Sequence, residues 1–314
     1  MTSSQAPIWA LILAGGDGTR LQSLTRKIAG DARPKQFCSL LGGETLLEGT
    51  RRRIDLLVRS DHQTVVVSRP HEPYYRALDR ELAPGRLVEQ PANRGTAPGL
   101  LYPLLRIADL AGDVPVAVFP SDHEVSDDAA FMHYVQGAVA VVQASPGRVV
   151  LLGIEARTPE TDYGWIGHGP MPLAIDGEPA FPVRRFWEKP SLPLAERLLD
   201  RGCLWNSFIM VGFVTAFLDL VRSAAPALLA DFEPVVAAIG TPAEGPVVEK
   251  VYARLASTNF SSAVLSRVAD RLAVVRVKGI DWSDLGSPER VLACLARMGP
   301  SSFHRRGTGL ASTP

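Results

Sequence analysis

Residues 8–14 form a short apolar run that ends in Gly15-Gly16-Asp17-Gly18-Thr19-Arg20-Leu21, with Pro34-Lys35-Gln36-Phe37 close behind. Such a run suits a buried parallel strand, and the glycines after it let backbone N–H groups approach an anion closely. Arg20 and Lys35 add side-chain charge. The pattern predicts a phosphate site at the end of a central strand. It is not a Walker A loop, because Gly-x-x-x-x-Gly-Lys-Ser/Thr is absent, and it is not the dinucleotide fingerprint, because Leu21 stands where a third glycine belongs.

The rest of the chain alternates apolar strands with helical segments, as a doubly wound α/β sheet requires. Strands are expected at 64–68, 116–119, 149–154, 163–167, 182–188 and 272–277. Helices are expected at 44–58, 73–82, 96–111, 127–144, 193–201 and 214–223, with Asp127 and Asp128 suited to a first helical turn. There is no internal repeat or linker. At 314 residues with 46% hydrophobic content, one domain over 1–300 can bury about 75% of its unfolded surface. The small, polar tail 301–314 is expected to be disordered.

Charge narrows the partners. Lys plus Arg and Asp plus Glu number 33 each, which argues against the broad basic surface that nucleic acid requires. Cys38, Cys203 and Cys294 are widely spaced and in no metal-ligand pattern, so reduced buried thiols and a cytoplasmic protein are expected. No signal peptide precedes Ile8, and no apolar run reaches the roughly 18 residues of a membrane span. The apolar segment 235–239 suits a homodimer interface or the core equally.

A second site follows Val116-Ala117-Val118-Phe119-Pro120-Ser121-Asp122-His123, where Asp122 lies just past the C-terminal end of an apolar strand. Open α/β sheets bind ligands at that end, and a carboxylate beside a phosphate suits Mg²⁺. His123 is read as structural or as a minor contributor from behind the site. A third, Glu89-Gln90-Pro91-Ala92-Asn93-Arg94-Gly95-Thr96-Ala97-Pro98, opens a helix whose free N–H groups favour an anion or a base carbonyl. The Gln90 and Asn93 amides suit a purine edge or, equally, loop hydrogen bonds. Arg94 reaches phosphate or solvent.

Gly-Gly-x-Gly-Thr-Arg-Leu followed by Pro-Lys-Gln-Phe resembles the sugar-1-phosphate nucleotidyltransferases, and most closely their mannose-1-phosphate guanylyltransferase branch. The resemblance runs over about residues 8–297. It implies a glycosyltransferase-A-like doubly wound mixed sheet, with nucleotide contacts at Leu13, Ala14, Gly15, Gly16, Gly18, Thr19, Gln90, Asn93, Gly95 and Thr96. Trp282-Ser283-Asp284-Leu285-Gly286 resembles the family's second metal motif and makes Asp284 the partner of Asp122 on Mg²⁺. Tyr163-Gly164-Trp165, Phe186-Trp187-Glu188-Lys189-Pro190 and Trp205-Asn206-Ser207-Phe208 resemble the sugar-phosphate side, implying roles for Gly164, Glu188, Lys189 and Asn206. Two segments depart from the family pattern. Residues 26–33 lengthen the loop before Pro34, which leaves the distance from Lys35 to the glycine turn open. Asn259-Phe260-Ser261-Ser262-Ala263-Val264-Leu265 stands where many relatives carry Ser-Ile-Asp-Tyr, so the usual acidic group is missing there.

The implied chemistry needs no general base. A sugar 1-phosphate has a second pKa of about 6, so its oxygen is already largely anionic at neutral pH and can attack the α-phosphorus of GTP directly. Positioning and charge neutralisation remain, with Arg20 on the departing pyrophosphate, Lys35 on the α-phosphate and Lys189 on the sugar phosphate. Another nucleotide, a manno-heptose 1-phosphate, or a non-catalytic nucleotide-sugar-binding relative are the alternatives that the sequence leaves open.

Overall fold

The computed structural model describes residues 6–173 and 178–298; the tail expected at 301–314 lies outside the described residues. Eleven strands are formed among them: β1 (Trp9–Leu13), β2 (Gln63–Ser68), β3 (Leu87–Gln90), β4 (Pro115–Pro120), β5 (Glu124–Val125), β6 (Val149–Glu155), β7 (Gly164–His168), β8 (Ala180–Glu188), β9 (Leu204–Phe213), β10 (Leu272–Val277) and β11 (Trp282–Ser283). Nine of them build one mixed sheet in the order β3-β2-β1-β4-β9-β6-β10-β8-β7.

The first four strands are parallel to their neighbours, the arrangement that short continuous apolar runs favour. β9 then enters antiparallel between β4 and β6. Because β7 pairs with β9 as well as with β8, the strands β9-β6-β10-β8-β7 close into a ring. The sheet is covered on both faces. Leu11 packs into one apolar layer and Ala10 and Ile12 into the other, following the two-residue alternation of a strand.

Local signals explain several helix boundaries. Thr45 caps helix Leu46–Ile54 in a reciprocal capping box with Glu48, and Asp127 accepts from the Ala130 N–H to start helix Asp128–Ala144. Helix Thr96–Ala111 has the expected bounds. The single helix expected over 73–82 is instead two short ones, Glu72–Tyr75 and Leu78–Glu81. The break falls where the bonding changes from Arg76 N–H on Glu72 O to a tighter Arg80 N–H on Ala77 O. Of the apolar segment 235–239, Val235 is buried and Val236 is exposed.

Candidate active site

The glycine loop leaves β1 with its carbonyls held from behind. Gln36 Nε2 donates to the carbonyls of Ala14 (2.9 Å) and Gly16 (2.8 Å), Ser68 Oγ to that of Gly15 (2.8 Å), and Ser121 Oγ to that of Leu13 (2.7 Å). In a trans peptide the next N–H points opposite the carbonyl. Fixing these carbonyls therefore turns the N–H groups of Gly15, Gly16 and Asp17 away from Gln36 and Ser68. Gln36 is a buried residue that the motif contained without its role being legible. At Gly18, φ is +60° and an added Cβ would stand 2.9 Å from the Lys35 nitrogen, so the 34–37 segment packs directly on the turn. Residues 26–29 of the lengthened loop belong to helix Gln22–Ala29, and Lys35 lines the same cleft as Gly16 and Gly18.

One cleft of about 310 Å³ is lined by Gly16, Gly18, Thr19, Arg20, Lys35, Asp122 and Asp284 among others. Asp122 arrives from the end of β4. Asp284 arrives by a different route: β11 pairs antiparallel with β5, with Ser283 opposite Glu124, so two segments distant in sequence end side by side. Lys35 joins them, with Nζ 3.3 Å from Asp122 Oδ2 and donating to the backbone carbonyls of Asp284 and Leu285. Burial would raise the Asp284 carboxyl, but the basic groups around it, His123, Arg290 and Lys35, hold it below the usual carboxylate range. His123, packed on the Trp282 ring, is pushed down to about 4, chiefly by burial, and stays neutral at pH 7. Two carboxylate oxygen donors lining one cleft fit a hard divalent cation, which takes its remaining ligands from water and phosphate oxygens.

The segment expected to contact the base is tied into the protein. Gln90 is buried, its Oε1 accepts from Tyr252 OH at 3.1 Å, and its Nε2 lies beside Gly15. Asn93 donates to Asp17 Oδ2 (3.0 Å) and accepts from the Gly95 N–H (2.9 Å), which links this loop to the glycine loop. Gly95 has φ +85°, and an added Cβ would meet the Thr258 carbonyl oxygen at 2.5 Å. The Thr96 hydroxyl accepts from the Phe260 N–H at 2.8 Å. Arg94 is half-buried, and its Nε donates to Tyr252 O at 3.0 Å.

The residues expected on the sugar-phosphate side converge from three strands. Gly164 pairs with Glu188 across β7 and β8, and an added Cβ at Gly164 would lie 3.1 Å from Glu188 Oε2 and 3.2 Å from Asn206 Cβ. A register shift between β6 and β9 sets Asn206 opposite Gly153, with its Oδ1 accepting from the Phe208 N–H at 3.2 Å. Burial raises the Glu188 carboxyl, partly offset by Lys189 and the Ser261 hydroxyl. Ser261 belongs to the 259–265 segment, which thus meets Glu188 although it carries no acid.

Backbone strain gathers at the same places. Among the described residues, the non-glycine positions with positive φ are Lys189, Phe208 and Leu285, each within two residues of Glu188, Asn206 or Asp284. Such conformations cost about 1–3 kcal/mol each and persist where the surroundings over-determine them. At the mouth of the cleft, exposed Arg20 lies 3.5 Å from Asp162. Arg290 was not legible as a site residue. It holds both Asp284 oxygens at 3.1 and 3.3 Å and Glu160 at 2.7 Å.

A family model described as Nucleotidyl transferase matches residues 9–297, nearly all of the described chain. The protein belongs to the nucleotidyl transferase family. Among curated relatives, the xanthan biosynthesis protein XanB of Xanthomonas campestris pv. campestris is 31% identical over 299 residues, covering 94% of this chain and 61% of the relative. The mannose-1-phosphate guanylyltransferase ManC of Salmonella typhimurium is 29% identical, covering 91% of this chain and 59% of its own length. The chain thus spans about three fifths of these nucleotidyl transferase relatives. A crystal structure from Thermus thermophilus, described as a mannose-1-phosphate geranyltransferase, superposes with a TM-score of 0.77 at 31% identity, covering 91% of this chain and 79% of that one. The doubly wound mixed α/β sheet is the nucleotidyl transferase fold.

Proposed function

We propose that this nucleotidyltransferase carries the guanylyl group of GTP to mannose 1-phosphate, giving GDP-mannose and pyrophosphate, and that residues 1–300 work as one domain. The observation that carries the reading is the single cleft in which the glycine loop, Arg20, Lys35, Asp122 and Asp284 meet. The names of the Salmonella typhimurium and Thermus thermophilus relatives support mannose 1-phosphate as the acceptor.

In this reading a non-bridging oxygen of the sugar phosphate forms a bond to the α-phosphorus of GTP while the bond to the β-phosphate oxygen breaks. The electron pair leaves with pyrophosphate, and no protein group needs to take a proton. Gly164, Glu188 and Asn206 seat the sugar, and Lys189 neutralises its phosphate. The amides of Gly15, Gly16 and Asp17 and the Arg20 guanidinium receive the triphosphate, and Lys35 neutralises charge at the α-phosphate. Gln90 and Asn93 border the base. Asp122 and Asp284 would hold Mg²⁺, which would supply charge neutralisation for the reacting phosphates. Three buried, unbridged cysteines support a cytoplasmic location, and the described residues hold no helix long and apolar enough to cross a membrane.

Pyrophosphate release in the presence of Mg²⁺, with each of the four nucleoside triphosphates against mannose 1-phosphate and glucose 1-phosphate, tests this. Release confined to GTP with mannose 1-phosphate is expected. Release with another pair moves the substrate, and nucleotide-sugar binding without release with any pair overturns the enzymatic reading.

A further inference from the structure

Asp284 is the more enclosed of the two cleft carboxylates, and its donors already crowd it. Its Oδ1 takes the Gly286 N–H (2.9 Å), Arg290 Nη1 (3.1 Å) and Tyr163 OH (3.2 Å), while Oδ2 takes Arg290 Nη1 at 3.3 Å. A carboxylate accepts about four hydrogen bonds in all, so Oδ1 has little capacity left and a cation would have to bind through Oδ2. Among the described residues, Arg290 is the one hydrogen-bond donor on that oxygen. Asp122, by contrast, faces Lys35 and the neutral His123 at 3.3 and 3.6 Å.

Arg290 is held so that it can let go of Asp284 without leaving the site. Its other terminal nitrogen, Nη2, bonds Glu160 Oε2 at 2.7 Å and lies 3.7 Å from Asp162 Oδ2, and the guanidinium lies 4.4 Å over the Tyr163 ring. Glu160, Asp162 and Tyr163 lead directly into Gly164, and the Lys189 N–H donates to the Tyr163 carbonyl at 3.2 Å. The same arginine therefore touches the cation side of the cleft through Asp284 and the sugar-phosphate side through the 160–163 segment.

We propose that Arg290 is an internal counter-ion that competes with the divalent cation for Asp284, and that a sugar phosphate arriving beside the 160–164 segment draws it off, so that cation and sugar phosphate bind with positive coupling. This rests on the cleft assignment made above. Arg290 is a positioning residue here: it acts through Asp284. Linkage makes the effect reciprocal, each ligand tightening the other by the same factor.

Titration of the purified protein with Mn²⁺ alone, followed calorimetrically or by the loss of the free-ion paramagnetic signal, tests the competition without reference to any sugar. Arg290→Met, which keeps an apolar chain over Tyr163, is expected to tighten Mn²⁺ binding on the order of tenfold, and Arg290→Lys to tighten it less. Arg297→Met removes a neighbouring cation that pairs with Asp281 rather than Asp284, and is expected to leave Mn²⁺ affinity unchanged. Unchanged or weaker Mn²⁺ binding in Arg290→Met overturns the proposal, as does equal tightening in Arg297→Met, which would reduce it to net charge. A merely structural loss would weaken the ion, not tighten it.

Repeating the titration with mannose 1-phosphate present is expected to tighten Mn²⁺ several-fold in the unmutated protein and much less in Arg290→Met. Mannose 1-phosphate that binds without tightening Mn²⁺, or tightens it equally in both proteins, overturns the coupling. If mannose 1-phosphate does not bind at all, the substrate reading falls, and the sugar-free comparison still decides the role of Arg290.

Discussion

Lys35 Nζ lies 3.3 Å from Asp122 Oδ2, and the same ammonium donates to the carbonyl of Asp284. One cation thus ties together the ends of two segments that approach from opposite halves of the sequence. Lys35→Met is expected to lower turnover on the order of 100-fold, the usual cost of losing one preorganised charge contact. Steady-state pyrophosphate release checks this, and a loss within about threefold would remove Lys35 from the chemistry.

Asp122→Asn keeps the side-chain shape but removes the charge. Turnover is expected to fall on the order of 100-fold and Mn²⁺ binding to weaken. A large drop in melting temperature would instead make Asp122 a structural residue.

At Gly95 the expectation is about stability. A methyl group there would meet the Thr258 carbonyl oxygen at 2.5 Å in a backbone already at φ +85°. Gly95→Ala should destabilise by about 1–3 kcal/mol, read by chemical denaturation. Unchanged stability would show that the 94–97 and 256–260 segments separate without cost.

Glu188→Gln separates function from stability. The folded protein raises this carboxyl, so the Glu188 contribution to stability is present at acid pH and is lost as pH rises through the raised value. The amide variant is therefore expected to match the unmutated protein near pH 4 and to gain on it toward pH 7, while KM for the sugar phosphate rises. Thermal melts across that range, paired with kinetics, check both. A stability gap that narrows toward pH 7 would contradict the sign.

The strands that bear the glycine loop and Asp122 were legible because each is a short apolar run closed by turn-forming residues. β9 was not. Its Leu-Trp-Asn-Ser-Phe-Ile-Met-Val-Gly-Phe sequence is interrupted by two buried polar residues, Asn206 and Ser207, whose bonds to Phe208 and Leu152 cannot be foreseen from periodicity. The site shows the same division. Residues next to a glycine turn or a strand end could be marked, whereas Arg290 sits on a helix face and Gln36 does its work through backbone carbonyls. Neither leaves a spacing signal, and only the approach of β11 to β5 reveals what Arg290 touches.

β9 pairs with β4, β6 and β7 at once, and it begins only at Leu204. While the chain is being synthesised, the glycine loop, Arg20, Lys35 and Asp122 have all emerged before β4 and β6 acquire the strand that separates them. Until then both present an open edge of unpaired backbone groups. A fragment ending near Glu155 should therefore aggregate, and a cut made there would pass through the middle of the sheet and not along a seam.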